Sequence, residues 1–326
     1  MQTLPIHTYL PHASRLIYGC MNLGGNWQAN SLQSEHVKIA CNMVDTCLEQ
    51  GINMFDHADI YSHGLAEAAF GQALKQQNQL RDSMIIQSKC GIRFSNGADQ
   101  KVKRFDFSKD WILKSVEQSL TRLNTDYLDI LSLHRPDPLM QPEEVADAFR
   151  QLKQSGKVKY FAVSNMNAFQ IDLLQQACPM PIIANQIEMS LAQLGWLNEG
   201  VHANQTRLSQ IGFNPGTIEH SRLNNIQMQS WGSMAQGLFA GGGKIQVATK
   251  PMQKTAERVA QLAAEYQTSI ESIVLGFLWR HPMNMQTVVG SLKPERVKAC
   301  AQVESIRLTP EHWYQLFELA RGEELP

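Results

Sequence analysis

Short apolar runs alternate with longer stretches whose apolar residues recur every three or four positions, and this beat is kept along most of the chain. Arg15 to Met21 reads as a first strand, with the polar, glycine-containing residues 22–30 as its loop. Ser34 then caps a helix whose apolar face is Val37, Ala40, Cys41, Val44, Cys47 and Leu48, and Gly51 stands just past its end. A second strand follows within Gly51 to Tyr61, a helix over Glu67 to Gln76, and a third strand over Ser83 to Lys89. Beyond the polar loop Arg93 to Asp106, Ser108 begins a helix that carries Ile112, Val116, Leu120 and Leu123 on one face. Tyr127 to His134 is strand four, Lys157 to Val163 strand five and Pro181 to Ile187 strand six, separated by helices that start at Pro142 and Asn167.

The regular beat breaks over Leu191 to Gly216, where little periodicity is left, so about residues 191–216 are expected to form a long loop inserted after strand six. It resumes with a short helix from Thr217, strand seven over Ile226 to Trp231, and a glycine-rich turn over Gly237 to Lys244. Helices over Met252 to Tyr266 and Ser269 to Arg280 precede strand eight, Thr287 to Gly290, and two more helices close the chain. Eight strands, mostly followed by helices, predict an α/β fold: a single-domain (β/α)8 TIM barrel over residues 1–326. A doubly wound sheet is the alternative, but the glycine fingerprint expected after its first strand is missing.

Composition adds exclusions. Of 326 residues, 43% are apolar and 18% charged, which is enough material for a core and gives no sign of disorder. A formal charge of −1 argues against nucleic acid or an anionic membrane as a general partner. No stretch reaches the length of a membrane span and no export signal is visible, so a cytoplasmic monomer or small homo-oligomer is expected. The six cysteines contain no C-x-x-C pair and read as reduced core thiols.

In such a barrel, chemistry gathers at the carboxyl ends of the strands. Here those ends are Met21, Asp56, Lys89, His134, Ser164 with Asn165, Gln186, Trp231, and Gly290 with Ser291. Four residues, counting Tyr61 just beyond its strand, could move a proton. A free phenol, with a pKa of about 10, is a weak acid, and an ammonium such as Lys89 is expected to lower it by roughly one to three units. Asp56 would hold Lys89, and His134 would hydrogen-bond the oxygen of a reacting carbonyl. Taken singly, each has a plain structural role available: a cap, a solvated lysine, a core ring, a polar residue beside a proline turn.

The motifs carrying these residues are GINMFDHADIY (51–61), IQSK (86–89), DYLDILSLH (126–134), VSN (163–165), ANQIE (184–188) and VGSLKPER (289–296). Together they make the chain resemble the aldo-keto reductases, especially the bacterial branch with Asp-His-Ala-Asp-Ile-Tyr and His-Arg-Pro-Asp-Pro. The resemblance implies a catalytic tetrad of Asp56, Tyr61, Lys89 and His134 and a hydride from NADPH to an aldehyde or ketone. It assigns the nicotinamide carboxamide to Asn165 and Gln186 with Ser164 beside them, ring stacking to Trp231, and the 2′-phosphate to Ser291, Lys293 and Arg296. Cys20, Met21, Gly232, Ser233, Gly237, Leu238, Gly290 and Lys244, in the turn Gly241 to Lys244, complete the cofactor set it implies.

Two departures matter. The stretch Trp231 to Gly237 replaces a commoner aromatic-Ser-Pro-Leu pattern, and the 191–216 segment is longer than this branch leads one to expect. With little chain after the last helix, substrate recognition is expected to fall to Trp27, the 93–106 loop and the inserted segment with Trp196. Two rival functions stand beside this one. A metal-dependent hydrolase could use His57, Asp59 and His134, but it lacks the usual paired histidines and leaves Lys89 and Tyr61 without a task, so no metal is expected. A non-catalytic nicotinamide-binding, redox-sensing module would keep the same barrel.

Overall fold

The computed structural model describes residues 3–95, 102–240 and 249–326. Its strands are β1 (Leu16–Gly19), β2 (Met54–Asp56), β3 (Ile85–Cys90), the short pair β4 (Ile92–Arg93) and β5 (Arg104–Phe105), then β6 (Leu128–Leu133), β7 (Val158–Ser164), β8 (Ile182–Glu188), β9 (Gln227–Trp231) and β10 (Gln286–Val289). The helices are α1 (Ser34–Glu49), α2 (Leu65–Gln76), α3 (Lys109–Leu123), α4 (Pro142–Gln154), α5 (Ala168–Ala177), α6 (Gly195–Val201), α7 (Thr217–Leu223), α8 (Lys250–Glu265), α9 (Ile270–Trp279), α10 (Pro294–Ala301) and α11 (Pro310–Arg321).

Strands β1, β2, β3, β6, β7, β8, β9 and β10 pair in that order and close back on β1, so the expected (β/α)8 barrel is the observed one. All eight pairings are parallel. Strands β3 and β6 are buried along their whole length, so apolar residues stand at successive positions in them (Ile85 and Ile86, Ile130 and Leu131) rather than only at alternate ones, although each strand also buries polar residues: Gln87, Ser88 and Lys89 in β3, Asp129 and Ser132 in β6. Ser34, expected to cap α1, is instead its first residue: Gln33 stands at the N-cap, and its backbone N–H donates to His36 Nδ1. Asn167 accepts the Gln170 N–H and Gln170 answers to the Asn167 N–H, a reciprocal cap on α5. Gly51, with φ +71°, follows α1 where an L side chain would be strained.

The loop expected over Arg93 to Asp106 instead contains the β4–β5 hairpin, paired Ile92 to Phe105 and Arg93 to Arg104. The 191–216 segment is also not all loop. It holds α6 and a 3-10 turn over Thr206–Gln210, elements of seven and five residues, too short to imprint a helical period on the sequence. Some short elements have no counterpart in the sequence reading, the 3-10 turn Asn78–Ser83 among them. A 3-10 turn, Pro5–Thr8, sets Ile6 into a cluster with Ile17, Met54, Ile130 and Ile183, plugging the barrel interior. All six cysteines are free, and five are buried.

Candidate active site

Asp56 ends β2 and Lys89 lies near the end of the neighbouring β3, so both reach the carboxyl-end rim of the barrel. Gln87 and Lys89, two residues apart on one strand, share a face. Gln87 Nε2 donates to Asp56 Oδ1 at 2.7 Å, and Lys89 Nζ donates to Asp56 Oδ2 at 2.6 Å. Tyr61 arrives from the turn beyond β2. Its backbone N–H is held by Ala58, and the next three residues, Ser62, His63 and Gly64, all take positive φ. Ser62 Oγ ties this unusual turn down by donating to the Gly25 carbonyl. Two strained non-glycine residues in succession are backbone that the rest of the fold must hold in place.

Lys89 is buried, and its ammonium donates to three acceptors: Asp56, the His57 carbonyl at 2.9 Å and the Tyr61 phenolic oxygen at 3.1 Å. An ammonium has three protons and no lone pair, so all its hydrogen-bonding capacity is spent. The Tyr61 oxygen accepts from Lys89, and its own O–H is therefore directed elsewhere. His134, just past β6, completes the group, its ring edge-on to Tyr61 with centres 5.9 Å apart.

The protonation states follow from burial and charge. Burial pushes the Lys89 amine down, but the Asp56 charge and the Tyr61 oxygen push it up and prevail, so it stays an ammonium. For Tyr61 burial raises the phenol above its ordinary value, and the opposing pull of Lys89 does not overcome it. This reverses the expected lowering, because a phenolate here would lose its water while Asp56 sits close by. His134 is held well below the usual imidazole range by burial first, then by the charges of Lys89, Arg135 and Lys103. At neutral pH the group thus comprises an ammonium, a protonated phenol and a neutral imidazole.

Above it opens a cavity of about 970 Å³. Of the residues marked out from sequence, Asp56, Tyr61, His134, Met21, Ser164, Asn165, Gln186, Trp231, Gly232, Ser233, Gly237, Leu238, Gly290, Ser291, Arg296 and Trp27 line it. Lys89 lies beneath, behind Tyr61. Trp231 Nε1 donates to Asn165 Oδ1 at 3.1 Å, while Asn165 Nδ2 donates to Ser164 Oγ and to the His134 carbonyl. These bonds hold Asn165 in a left-handed backbone conformation, φ +60°. Ser233 Oγ is spent on Ser230.

Other residues marked out from sequence are not brought there. Cys20 is fully buried, with its thiol on the Tyr18 carbonyl, and Lys293 is an exposed residue at the start of α10. Neither lines the cavity, and Lys244 with the Gly241 turn lies outside the described residues. Trp196 is a correction. It is 3% exposed and packs edge-on against Phe277 and His281, away from the cavity. Arg207 and His202 of the same segment are tied to Glu323 and Arg321 at the end of the chain. The 191–216 segment therefore packs on the flank of the barrel, and only Ala192 and Gln193 at its start, with Ser190 just before it, reach the cavity.

The structure adds a feature the sequence reading passed over, a chain of buried amides under Asp56. Gln186 Nε2 donates to Asp56 Oδ1 and to Gln229 Oε1, Gln87 Nε2 also reaches Gln229, and Gln229 Nε2 donates to Gln286. The available signal was polar residues inside apolar strand runs, since buried polar groups must find partners. His57 does the opposite. Both its ring nitrogens are buried with no partner among the described residues, and burial, reinforced by Lys89, lowers it to about 3. Among the described residues no three histidine, cysteine or carboxylate side chains converge as metal ligands.

A family model described as the Aldo/keto reductase family matches residues 15–321. The chain belongs to that family. It is 34% identical to Oxidoreductase YdhF of Escherichia coli over the whole of both chains. It is 32% identical to a 6-dehydroglucose reductase of Agrobacterium fabrum, covering 96% of each. Among solved structures, an aldo/keto reductase from Klebsiella pneumoniae in complex with NADP and acetate superposes with a TM-score of 0.71 at 20% identity, over 94% of this chain and 92% of that one. In this aldo/keto reductase Lys89 contacts both Asp56 and Tyr61, and the His134 ring stands edge-on to Tyr61.

Proposed function

We propose that the protein reduces an aldehyde or ketone to an alcohol with NADPH, Tyr61 giving the proton. The observation that carries this is the three-way ammonium of Lys89. Because Lys89 donates to the phenolic oxygen, it fixes where the Tyr61 proton points, and it steadies the phenolate left after transfer. The Tyr61 phenolate regains its proton from water entering the cavity that Tyr61 lines once the alcohol has left, while Asp56 keeps the Lys89 amine charged and in place throughout. The neutral His134 ring hydrogen-bonds the carbonyl oxygen beside Tyr61. A bare binding module would need none of this.

The residues present suit a nicotinamide dinucleotide. The cavity is continuous from Tyr61 and His134 past Trp231 to Ser291 and Arg296, which offers amides, an aromatic face and a hydroxyl beside a cation. Ser164, Asn165 and Gln186 would take the carboxamide, Trp231 the ring, and Ser291 with Arg296 a 2′-phosphate. Bound NADPH would supply the hydride to the carbonyl carbon. The NADP complex of the Klebsiella relative supports the choice of cofactor, and the curated 6-dehydroglucose reductase supports a small carbonyl substrate.

Tyr61→Phe tests the assignment. Turnover with an activated aromatic aldehyde should fall by about 10²-fold or more, the contribution of a positioned acid, while NADPH still binds by fluorescence titration. A Tyr61→Phe enzyme that keeps wild-type kcat removes Tyr61 as the acid.

A further inference from the structure

The cavity carries two cations that the proton-transfer group does not use. Arg135 follows His134 directly, and Lys103 immediately precedes β5; both line the cavity. The Arg135 guanidinium lies 5.4 Å from the centre of the Trp231 ring, and Lys103 Nζ lies 5.4 Å from that of Phe94. Phe94 is edge-on to Trp27 at 6.0 Å, and both rings line the same space. The charges of Arg135 and Lys103 both reach the His134 ring, which places them around the point where a carbonyl would react.

Among the described residues neither cation joins an ion pair, whereas Arg81, Arg93, Arg122 and Arg321 all do. The carboxylates on the same walls do not satisfy them. Asp56 is committed to Lys89. Glu271, in the first turn of α9, shares its electrostatic neighbourhood with Arg296 at Cys300, toward the far arm. Glu188 feels Arg135, yet burial pushes its carboxyl up despite that charge and no contact forms within 4 Å. A part-exposed guanidinium on the wall of an open cavity, with no counter-ion in contact among the described residues, keeps its donors available to a ligand that brings negative charge. Its planar fork matches a carboxylate.

We propose that the cavity selects aldehydes and ketones that also bear a carboxylate, held by Arg135 with Lys103 assisting, while Trp27 and Phe94 cover the carbon skeleton. This rests on the carbonyl-reducing reading above and adds the substrate class to it.

The test compares 4-carboxybenzaldehyde with its methyl ester, methyl 4-formylbenzoate, by NADPH consumption with the full-length protein. The acid should show the higher kcat/KM by roughly tenfold, the size of one charge-assisted hydrogen bond, and the ratio should shrink as salt is raised. Arg135→Gln and Lys103→Gln should each lower the acid-to-ester ratio, with Arg135→Lys restoring part of it. A wild-type ratio near one, or a ratio that neither Gln variant moves, overturns the substrate class while leaving carbonyl reduction standing. Failure to consume NADPH with either aldehyde sinks carbonyl reduction itself, and this inference with it.

Discussion

Replacing Lys89 by Met removes the ammonium and leaves Asp56 buried with only two amide donors, Gln87 at 2.7 Å and Gln186 at 3.2 Å. At the observed 2.6 Å separation, the Lys89 to Asp56 attraction is about 6 kcal/mol at an effective dielectric of about 20. Much of that is offset in the wild type by the cost of desolvating both ions, so it is not the pair's net value. Breaking a buried pair from one side is another matter, and costs about 3 to 5 kcal/mol. At about 2.1 cal/mol/K per residue, a chain of 326 residues unfolds with roughly 0.7 kcal/mol/K of entropy, so Tm should fall by about 4 to 7 °C. Calorimetry and urea denaturation both read this. The double variant Asp56→Asn, Lys89→Met has no buried charge left to strand and should recover at least half of the loss, a coupling that a double-mutant cycle isolates. A single variant within about 1 kcal/mol of wild type, or a double variant no more stable than the single one, would refute the reasoning.

Two more outcomes follow from burial. His57 has a folded pKa of about 3, below its unfolded value of about 6.5. The fold therefore favours the neutral ring, and His57 withdraws stability as pH drops from the unfolded value toward the folded one. His57→Phe, which suits the ring's edge-on packing against Phe70, should reduce the slope of stability against pH by up to about 1.4 kcal/mol per unit between about pH 6 and 4. Equal slopes for the two proteins would contradict this. Trp196→Ala should cost about 3 to 5 kcal/mol of stability by emptying a core position while leaving relative rates among carbonyl substrates alone. Trp27→Ala, at a side chain 43% exposed on the cavity wall, should do the reverse. Rates among a panel of aldehydes beside thermal melts distinguish the two, and a shifted profile from Trp196→Ala would put the 191–216 segment back at the substrate.

Local patterning carried a great deal here. The eight barrel strands, most of the helices between them, the start of α5 at Asn167 and the break in period at 191–216 were all legible, because apolar periods act over a few positions, whereas the cap of α1 fell at Gln33 rather than at Ser34. The strand-tip rule was enough to single out Asp56, Lys89, His134 and, just beyond, Tyr61. What distance in sequence hid is of another kind. The direction of the Tyr61 pKa depended on how deeply closure of the barrel buries the phenol, and that outweighed the neighbouring ammonium. Trp196 looked like a pocket residue, yet Phe277 and His281, some eighty residues on, draw it onto the flank. The amide chain from Asp56 through Gln87, Gln186 and Gln229 to Gln286 forms only when strands from across the chain meet inside the barrel. Short-range forces wrote the elements and the chemical inventory into the sequence; depth of burial and long-range pairing, which no window of neighbouring residues contains, decided protonation and which side chains share a cavity.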